Sequence, residues 1–202
     1  MTQVRALAVP GAFAFTPAVF PDERGAFVSP YLGSLFTETL GHPLFPVRQT
    51  SYSVSRRGVL RGLHYTATPP GSAKLVCCPH GRALDLVVDL RVGSPRFGCW
   101  DSVALDDRSF TAVYLPVGVG HAFVALRDDT VMAYLLSQEY VPANELAVSA
   151  VDPALRLPIP EDIDPVMSER DRAAPTLDEA RTAGRLPDFQ TCRTIEAAFG
   201  DR

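Results

Sequence analysis

The chain has 202 residues, of which 47% are hydrophobic and 21% are charged, and its formal net charge is −4. This composition supports one folded domain with a buried core and excludes an intrinsically disordered chain. The negative balance argues against a nucleic-acid partner. Because there is no apolar run of roughly 18 residues and no signal-peptide pattern, we expect a cytoplasmic protein without membrane contact.

The N-terminal part is predicted to be an arm followed by a short helix. Residues 1–30 contain small and apolar residues with interspersed prolines, a pattern that favours edge strands. The helix is predicted over residues 35–40 and is closed by Gly41.

The central part, residues 45–150, is predicted to be the β core. Short strand candidates follow one another at roughly ten-residue spacing with turn signals between them, which predicts an all-β sandwich or barrel. In residues 83–90, Asp85 and Asp89 alternate with leucine and valine, so we expect one packed and one polar sheet face. The most regular candidates are residues 74–78, 83–90, 100–105, 111–115, 121–126 and 131–136.

The C-terminal part, residues 155–200, is predicted to be irregular and then helical. Prolines dominate its first half, and a capping pattern at Thr176 opens a helix that reaches Gly184. A second helical piece is predicted over residues 192–199. Together with the arm and the core, this segment forms one predicted domain over residues 1–202.

Residues 58–74, GVLRGLHYTATPPGSAK, concentrate groups that could carry chemistry. Lys74 is the one lysine beside 18 arginines, and a compact ammonium suits a developing oxyanion. Strict alternation places Arg61 and His64 on opposite faces of a strand, so they can share a site only if Gly62 bends it. Alternation also predicts a buried Tyr134 phenol, which needs a hydrogen-bond partner.

The histidines and cysteines do not predict a metal centre. His64 and His121 could face one cavity, but there is no third nearby histidine and no HxH motif. The four cysteines show no CxxC spacing and are expected to be reduced. His64, His121 and Tyr134 are instead candidates for acid–base work without a metal or other cofactor.

Ordered motifs along the chain resemble the dTDP-4-dehydrorhamnose 3,5-epimerase family, which has a cupin (jelly-roll) fold. They are DERGxF at 22–27, RGLHY at 61–65, VVDLRxGSPxFG at 87–98, LPxGxxHAF at 115–123 and SERDRAAP at 168–175. The resemblance is greatest to actinobacterial members that act on dTDP-4-keto sugars for antibiotic glycosides. It implies a homodimer with exchanged N-terminal strands, short peripheral helices near the C-terminus, and neither metal nor redox cofactor.

The resemblance also implies a role for each candidate residue. His64 would be the base that removes a proton beside the 4-keto group, and Asp171 would orient it. Tyr134 would be the acid on the opposite face, and Lys74 would stabilise the enolate oxygen. The implied substrate-binding residues are Arg24, Phe27, Gln49, Arg61, His121 and Tyr140, with Arg24 serving either its own or the partner's site.

The substrate and the alternatives stay open at this point. Ser51 stands where the family often has Asn, and Ser29 where a Glu is usual. From such departures we expect action mainly at C5 of a dTDP-4-keto-6-deoxyhexose, and whether C3 is inverted as well, or instead, stays open. The alternatives are a sugar-nucleotide binding protein of cupin fold without turnover, a 3,4-ketoisomerase of the same fold, and a metal-dependent oxygenase, which the missing HxH disfavours.

Overall fold

The structure is a computed structural model and describes residues 1–200. Its elements in chain order are β1 (Gln3–Ala6), β2 (Phe13–Thr16), β3 (Val19–Asp22), β4 (Gly25–Val28), α1 (Gly33–Leu40), β5 (Gln49–Ser55), β6 (Leu60–Thr66), β7 (Lys74–His80), β8 (Arg82–Asp89), β9 (Trp100–Asp106), β10 (Ala112–Leu115), β11 (Val119–Ala125), β12 (Thr130–Leu136), β13 (Glu145–Ala147), α2 (Glu169–Arg172), α3 (Leu177–Thr182) and α4 (Phe189–Ala197).

Two antiparallel sheets pack face to face. The six-stranded sheet has the order β1-β2-β10-β7-β12-β5, and the five-stranded sheet has the order β13-β6-β11-β8-β9. β3 and β4 form a separate hairpin. The predicted all-β sandwich is therefore confirmed, and all six strands predicted in the centre are present within two residues of their expected bounds.

Three apolar clusters hold the sheets and their coverings together. The cluster between the sheets joins inward-facing residues of both, among them Val76, Val87, Val113, Phe123 and Met132. The C-terminal segment covers the outer face of the five-stranded sheet with residues that include Leu155, Ile163 and Ala180. α1, α4 and the chain near Phe45 cover the other sheet. Each fully buried Leu, Val or Phe side chain contributes about 1.5–3 kcal/mol of hydrophobic stabilisation.

The expectation that β8 has a polar face is wrong. Asp85 and Asp89 are both completely buried, because the other sheet covers one face of β8 and the C-terminal segment covers the other. Buried carboxylates require partners. Asp89 accepts hydrogen bonds from the Arg91 guanidinium, with Nε 2.8 Å from Oδ1, and the partner of Asp85 belongs to the site described below.

The helices follow their capping signals. α1 ends at Gly41, whose φ of 79° closes the last turn, and α3 begins with the predicted capping box at Thr176. α4 starts three residues earlier than predicted because Asp188 caps it. α2, which we did not predict, is capped by Ser168. In the described part of the chain, no helix has the length and apolar character to cross a membrane.

Candidate active site

A bulge in β6 brings Arg61 and His64 onto the same face of the strand. His64 lies opposite His121 of β11, whereas Arg61 lies opposite Phe123, so three steps along β6 match two along β11. Gly62 permits this, because its φ is 117° and a β-carbon there would lie 2.5 Å from the His121 carbonyl oxygen. The sequence analysis required a bend at Gly62 if Arg61 and His64 were to share a site, and the structure contains that bend.

The C-terminal segment supplies a carboxylate to the His64 imidazole. Nε2 of His64 and Oδ1 of Asp171 lie 2.6 Å apart, and Ser168 accepts the Asp171 backbone N–H. Burial alone would raise the pKa of Asp171, but the hydrogen bond and charge of His64 outweigh it, so this pKa lies below its ordinary value. An ionised Asp171 can therefore orient the ring and stabilise its protonated form.

Tyr134 lies on β12, in the sheet opposite to the one that carries His64. Its phenolic oxygen is 3.3 Å from the Ser53 hydroxyl of β5, and its ring packs edge-on to His121 with centroids 6.1 Å apart. Burial raises the pKa of Tyr134 to about 12, so the phenol is protonated at neutral pH. A carbon acid held between the two sheets would have His64 on one wall and Tyr134 on the other.

A second imidazole–carboxylate pair lies deeper in the interior. Nε2 of His121 and Oδ1 of Asp85 are 2.6 Å apart, and both side chains are buried. The other carboxylate oxygen, Oδ2 of Asp85, is buried without a hydrogen-bond partner among the described residues. Such orphaned polar atoms are rare in folded proteins and concentrate at functional sites.

Lys74 begins β7 on the inner side, and its ammonium enters a small cavity. Burial lowers the pKa of Lys74, and the negative charge of Glu145 opposes this effect. The cavity has a volume of about 50 Å³ and is lined by Thr66, Ser72, Lys74, Leu136, Gln138, Glu139, Tyr140 and Glu145. Tyr140, predicted as a substrate contact, therefore lies beside Lys74 with its side chain half exposed.

Gln49 links the Tyr140 backbone to strand β5. Its Oε1 accepts the backbone N–H of Tyr140 at 2.7 Å, and its Nε2 donates to the Ser51 hydroxyl at 2.8 Å. Arg61 donates through Nε to Ser55 at 3.1 Å. Of the ten predicted site residues, one group is linked by contacts and strand register and consists of His64, Asp171, His121, Tyr134 and Arg61. A second group, Lys74, Tyr140 and Gln49, is linked through the small cavity and the Gln49 hydrogen bond.

Comparison with known proteins assigns the chain to a family. A sequence profile of the dTDP-4-dehydrorhamnose 3,5-epimerase family matches residues 6–179. The chain belongs to this family. It is 46% identical over 192 residues to a dTDP-4-dehydro-6-deoxyglucose 3-epimerase of Streptomyces bikiniensis, covering 95% of this chain and 97% of the relative. It is also 46% identical, over the same length, to a dTDP-4-dehydrorhamnose 3,5-epimerase of Mycolicibacterium smegmatis, covering 95% of this chain and 94% of the relative.

Solved structures of epimerases share its fold. ChmJ, a 3'-monoepimerase from Streptomyces bikiniensis in complex with dTDP-quinovose, matches with a TM-score of 0.93 and 43% identity, covering 98% of this chain and 100% of that chain. NovW, a 4-keto-6-deoxy sugar epimerase from the novobiocin cluster of Streptomyces spheroides, matches with a TM-score of 0.91 and 45% identity, covering 95% and 96%. The expected family, its cupin-like fold and its class as an isomerase are confirmed.

Two predicted substrate-binding residues of this epimerase-family chain lie apart from the others. Arg24 and Phe27 belong to the β3–β4 hairpin. The Arg24 side chain is 85% exposed and pairs with Asp22, while Phe27 is 68% exposed. Within residues 1–200 the Arg24 guanidinium is paired with Asp22 and not with the group around His64, and the choice between its own site and the partner's site stays open.

Asp85 and Ser53 are the site residues that sequence reasoning missed. Asp85 is an acidic residue inside an otherwise apolar strand, which could have flagged a buried partner, but alternation suggested a solvated face instead. Ser53 gives no signal of its own, because serine is ordinary on an edge strand. In the register of β5 against β12, Ser51 lies opposite Tyr134 and Ser53 lies opposite Met132, so only the hydrogen bond across this diagonal reveals the contact between Ser53 and Tyr134.

A large cavity is separate from the group around His64. It has a volume of about 650 Å³ and adjoins the Lys74 cavity through Thr66, but neither His64 nor Tyr134 lines it. No three or more His, Cys, Asp or Glu side chains in residues 1–200 are placed to share a metal ion. A metal-free reaction stays a prediction.

Proposed function

We propose that this protein epimerises a dTDP-4-keto-6-deoxyhexose by moving a proton off one face of a carbon beside the ketone and returning one to the other face. One observation carries the proposal. The His64–Asp171 pair and the protonated Tyr134 phenol stand on opposite sheets of one interior, which is the arrangement that inversion at a carbon acid requires.

The residues divide the proton transfer between them. Nδ1 of His64 accepts the proton from the carbon, and Asp171 stabilises the resulting imidazolium. The electron pair moves into an enolate, whose oxygen the Lys74 ammonium stabilises. The Tyr134 phenol then gives its proton to the opposite face of the same carbon and becomes a phenolate. Exchange with solvent afterwards removes the proton from His64 and restores the one on Tyr134.

The names of the relatives, and not the geometry, bear on which carbon is inverted. C3 and C5 both flank the ketone, and one base and one acid can serve either carbon. The two curated relatives and ChmJ described above are all named for inversion at C3, with or without C5. These names favour inversion at C3, whereas the departures from the family pattern led us to expect action mainly at C5, and the experiment described next distinguishes the two.

Turnover in deuterated water tests the proposal. The protein is incubated with dTDP-4-keto-6-deoxyglucose, and NMR and mass spectrometry follow deuterium and configuration at C3 and C5. Deuterium with inversion at either carbon supports the proposal. Binding without exchange would leave a sugar-nucleotide binding protein, and a ketone displaced to C3 would identify a 3,4-ketoisomerase. His64→Asn is the control, because it removes the base and should abolish exchange.

We further propose a homodimer in which the arm of each subunit completes the other subunit's site. The exposed Phe20, Arg24 and Phe27 of the β3–β4 hairpin support this arrangement, because exposed aromatic pairs on a protruding hairpin suit a partner surface. Arg24 would then bind the diphosphate of the substrate held by the partner. The arm, the core and the C-terminal segment act as one unit, since Asp171 of the last completes the pair with His64 of the core.

Subunit complementation tests the exchanged arm. Arg24→Ala and His64→Asn proteins are each expected to be defective, and mixed dimers formed by co-expression should regain turnover, because one of their two sites then has both residues. No recovery in purified mixed dimers would show that Arg24 serves its own subunit. Cytoplasmic location stays a prediction, to be checked by cell fractionation.

A further inference from the structure

Strand β5 presents a row of hydroxyl groups to the interior. Ser51, Ser53 and Ser55 alternate with outward-facing residues, of which Tyr52 and Val54 are strongly exposed. β5 is the last strand of its sheet, so its inner face lies at the edge of the space between the two sheets. Each serine is bonded to a different side chain that is predicted to act on the substrate.

The three bonds are separate. Ser53 meets the Tyr134 phenol at 3.3 Å, Ser55 accepts from Nε of Arg61 at 3.1 Å, and Ser51 accepts from Gln49 at 2.8 Å. One strand therefore orients an acid, a candidate diphosphate contact and a candidate nucleotide contact through chemically identical groups. Because the three serines carry the same hydroxyl group, replacing one serine serves as a control for replacing another.

We propose that Ser53 is a positioning residue for Tyr134, which sets the phenol so that its proton points at the substrate carbon. The inference rests on the proposed epimerase function. A serine hydroxyl can donate one hydrogen bond, and by donating to the phenolic oxygen it leaves the phenolic proton free for the enolate. If Ser53 accepted instead, the proton that inversion needs would be engaged with the protein.

The same hydroxyl also stabilises the phenolate that remains after proton transfer. Burial and the nearby Asp85 carboxylate disfavour negative charge on Tyr134, whereas Ser53 and Arg61 favour it. Among the described residues, Ser53 is the group that forms a hydrogen bond with the phenolic oxygen. Its loss therefore removes orientation and charge stabilisation together, and both effects slow proton delivery without touching the base.

The test compares Ser53→Ala with Ser53→Thr and Ser55→Ala. Thermal unfolding first establishes that each variant folds, which we expect because each substitution is small and lies on an edge strand, with Ser53 half-buried and Ser55 buried. In deuterated water, Ser53→Ala should incorporate deuterium into the substrate at the wild-type rate within about twofold. Inversion should slow about tenfold, which is equivalent to raising the activation barrier for proton delivery by about 1.4 kcal/mol. Ser53→Thr keeps the hydroxyl and should restore the wild-type ratio of inversion to exchange.

Ser55→Ala is the matched control, since it removes the same group from the same strand but touches Arg61. It should raise KM for the dTDP-sugar and leave the ratio of inversion to exchange unchanged. If Ser53→Ala kept the wild-type ratio of inversion to exchange, or if Ser55→Ala changed this ratio equally, the role of Ser53 would be overturned. Turnover by the wild-type protein would still support the proposed epimerase function in that case. A wild-type protein that neither exchanges nor inverts would overturn both.

Discussion

Replacing Gly62 by alanine tests whether the bulge in β6 assembles the site. A β-carbon there would meet the His121 carbonyl oxygen at 2.5 Å and the Ala122 side chain at 2.6 Å, at a φ of 117°. Backbone strain costs about 1–3 kcal/mol, and forcing atoms into a packed strand pair adds about 1–3 kcal/mol. We expect a loss of about 2–6 kcal/mol of unfolding free energy, which lowers Tm by about 4–24 °C in a chain of this size.

Gly184→Ala is the control for the backbone alone. Gly184 also has a positive φ, of 64°, but a β-carbon there would meet no atom within 4 Å, so we expect a cost of about 1–2 kcal/mol. Calorimetric unfolding gives both values, and the deuterium exchange assay gives the activity of any folded Gly62→Ala protein, which should be severely reduced because His64 moves. Equal Tm values for the two variants, together with wild-type exchange in Gly62→Ala, would refute the reasoning.

Three further predictions concern the acid and the base. Asp171→Asn should slow exchange about 10²–10⁴-fold and leave the affinity for dTDP, measured by calorimetry, unchanged; a comparable loss of affinity would mean a structural role. The pKa of Asp171 is lower in the folded protein than in the unfolded chain, so the ionised carboxylate stabilises the fold. The wild type should therefore be more stable than Asp171→Asn above about pH 4, and this advantage should disappear as the pH falls through the folded pKa. A Tm difference that stays constant over that pH range would contradict this prediction. Tyr134→Phe should keep exchange by His64 but lose inversion, so normal inversion in NMR spectra would remove Tyr134 as the acid.

The fold was predictable because its signals are local. Short apolar strands with turn residues between them fixed the six central strands, and capping residues such as Thr176 fixed helix starts. α2 escaped prediction because its four residues are too few to show a helical period. The buried face of β8 escaped because alternation cannot tell a solvated face from one that a distant segment covers, and here the carboxylates of Asp85 and Asp89 occupy it.

The site was only partly predictable, since its residues meet through tertiary contacts. From the sequence we could infer that Arg61 and His64 share a face only if the strand bends at Gly62, but not that this bend occurs. The pairing of His64 with Asp171, 107 positions away, was implied by family resemblance and not by spacing. The displacement of Arg24 from the cavity depends on where the hairpin folds, which no local pattern specifies.

The two imidazole–carboxylate pairs differ in burial and not in the pairing itself, and this difference favours different roles for the two histidines. Both pairs have the same nitrogen–oxygen distance of 2.6 Å. The His64 side chain is 31% exposed, whereas that of His121 is 6% exposed, so His64 has the greater access to a substrate and to solvent. His121 is therefore suited to hold the wall beside Tyr134, and His64 to act as the base.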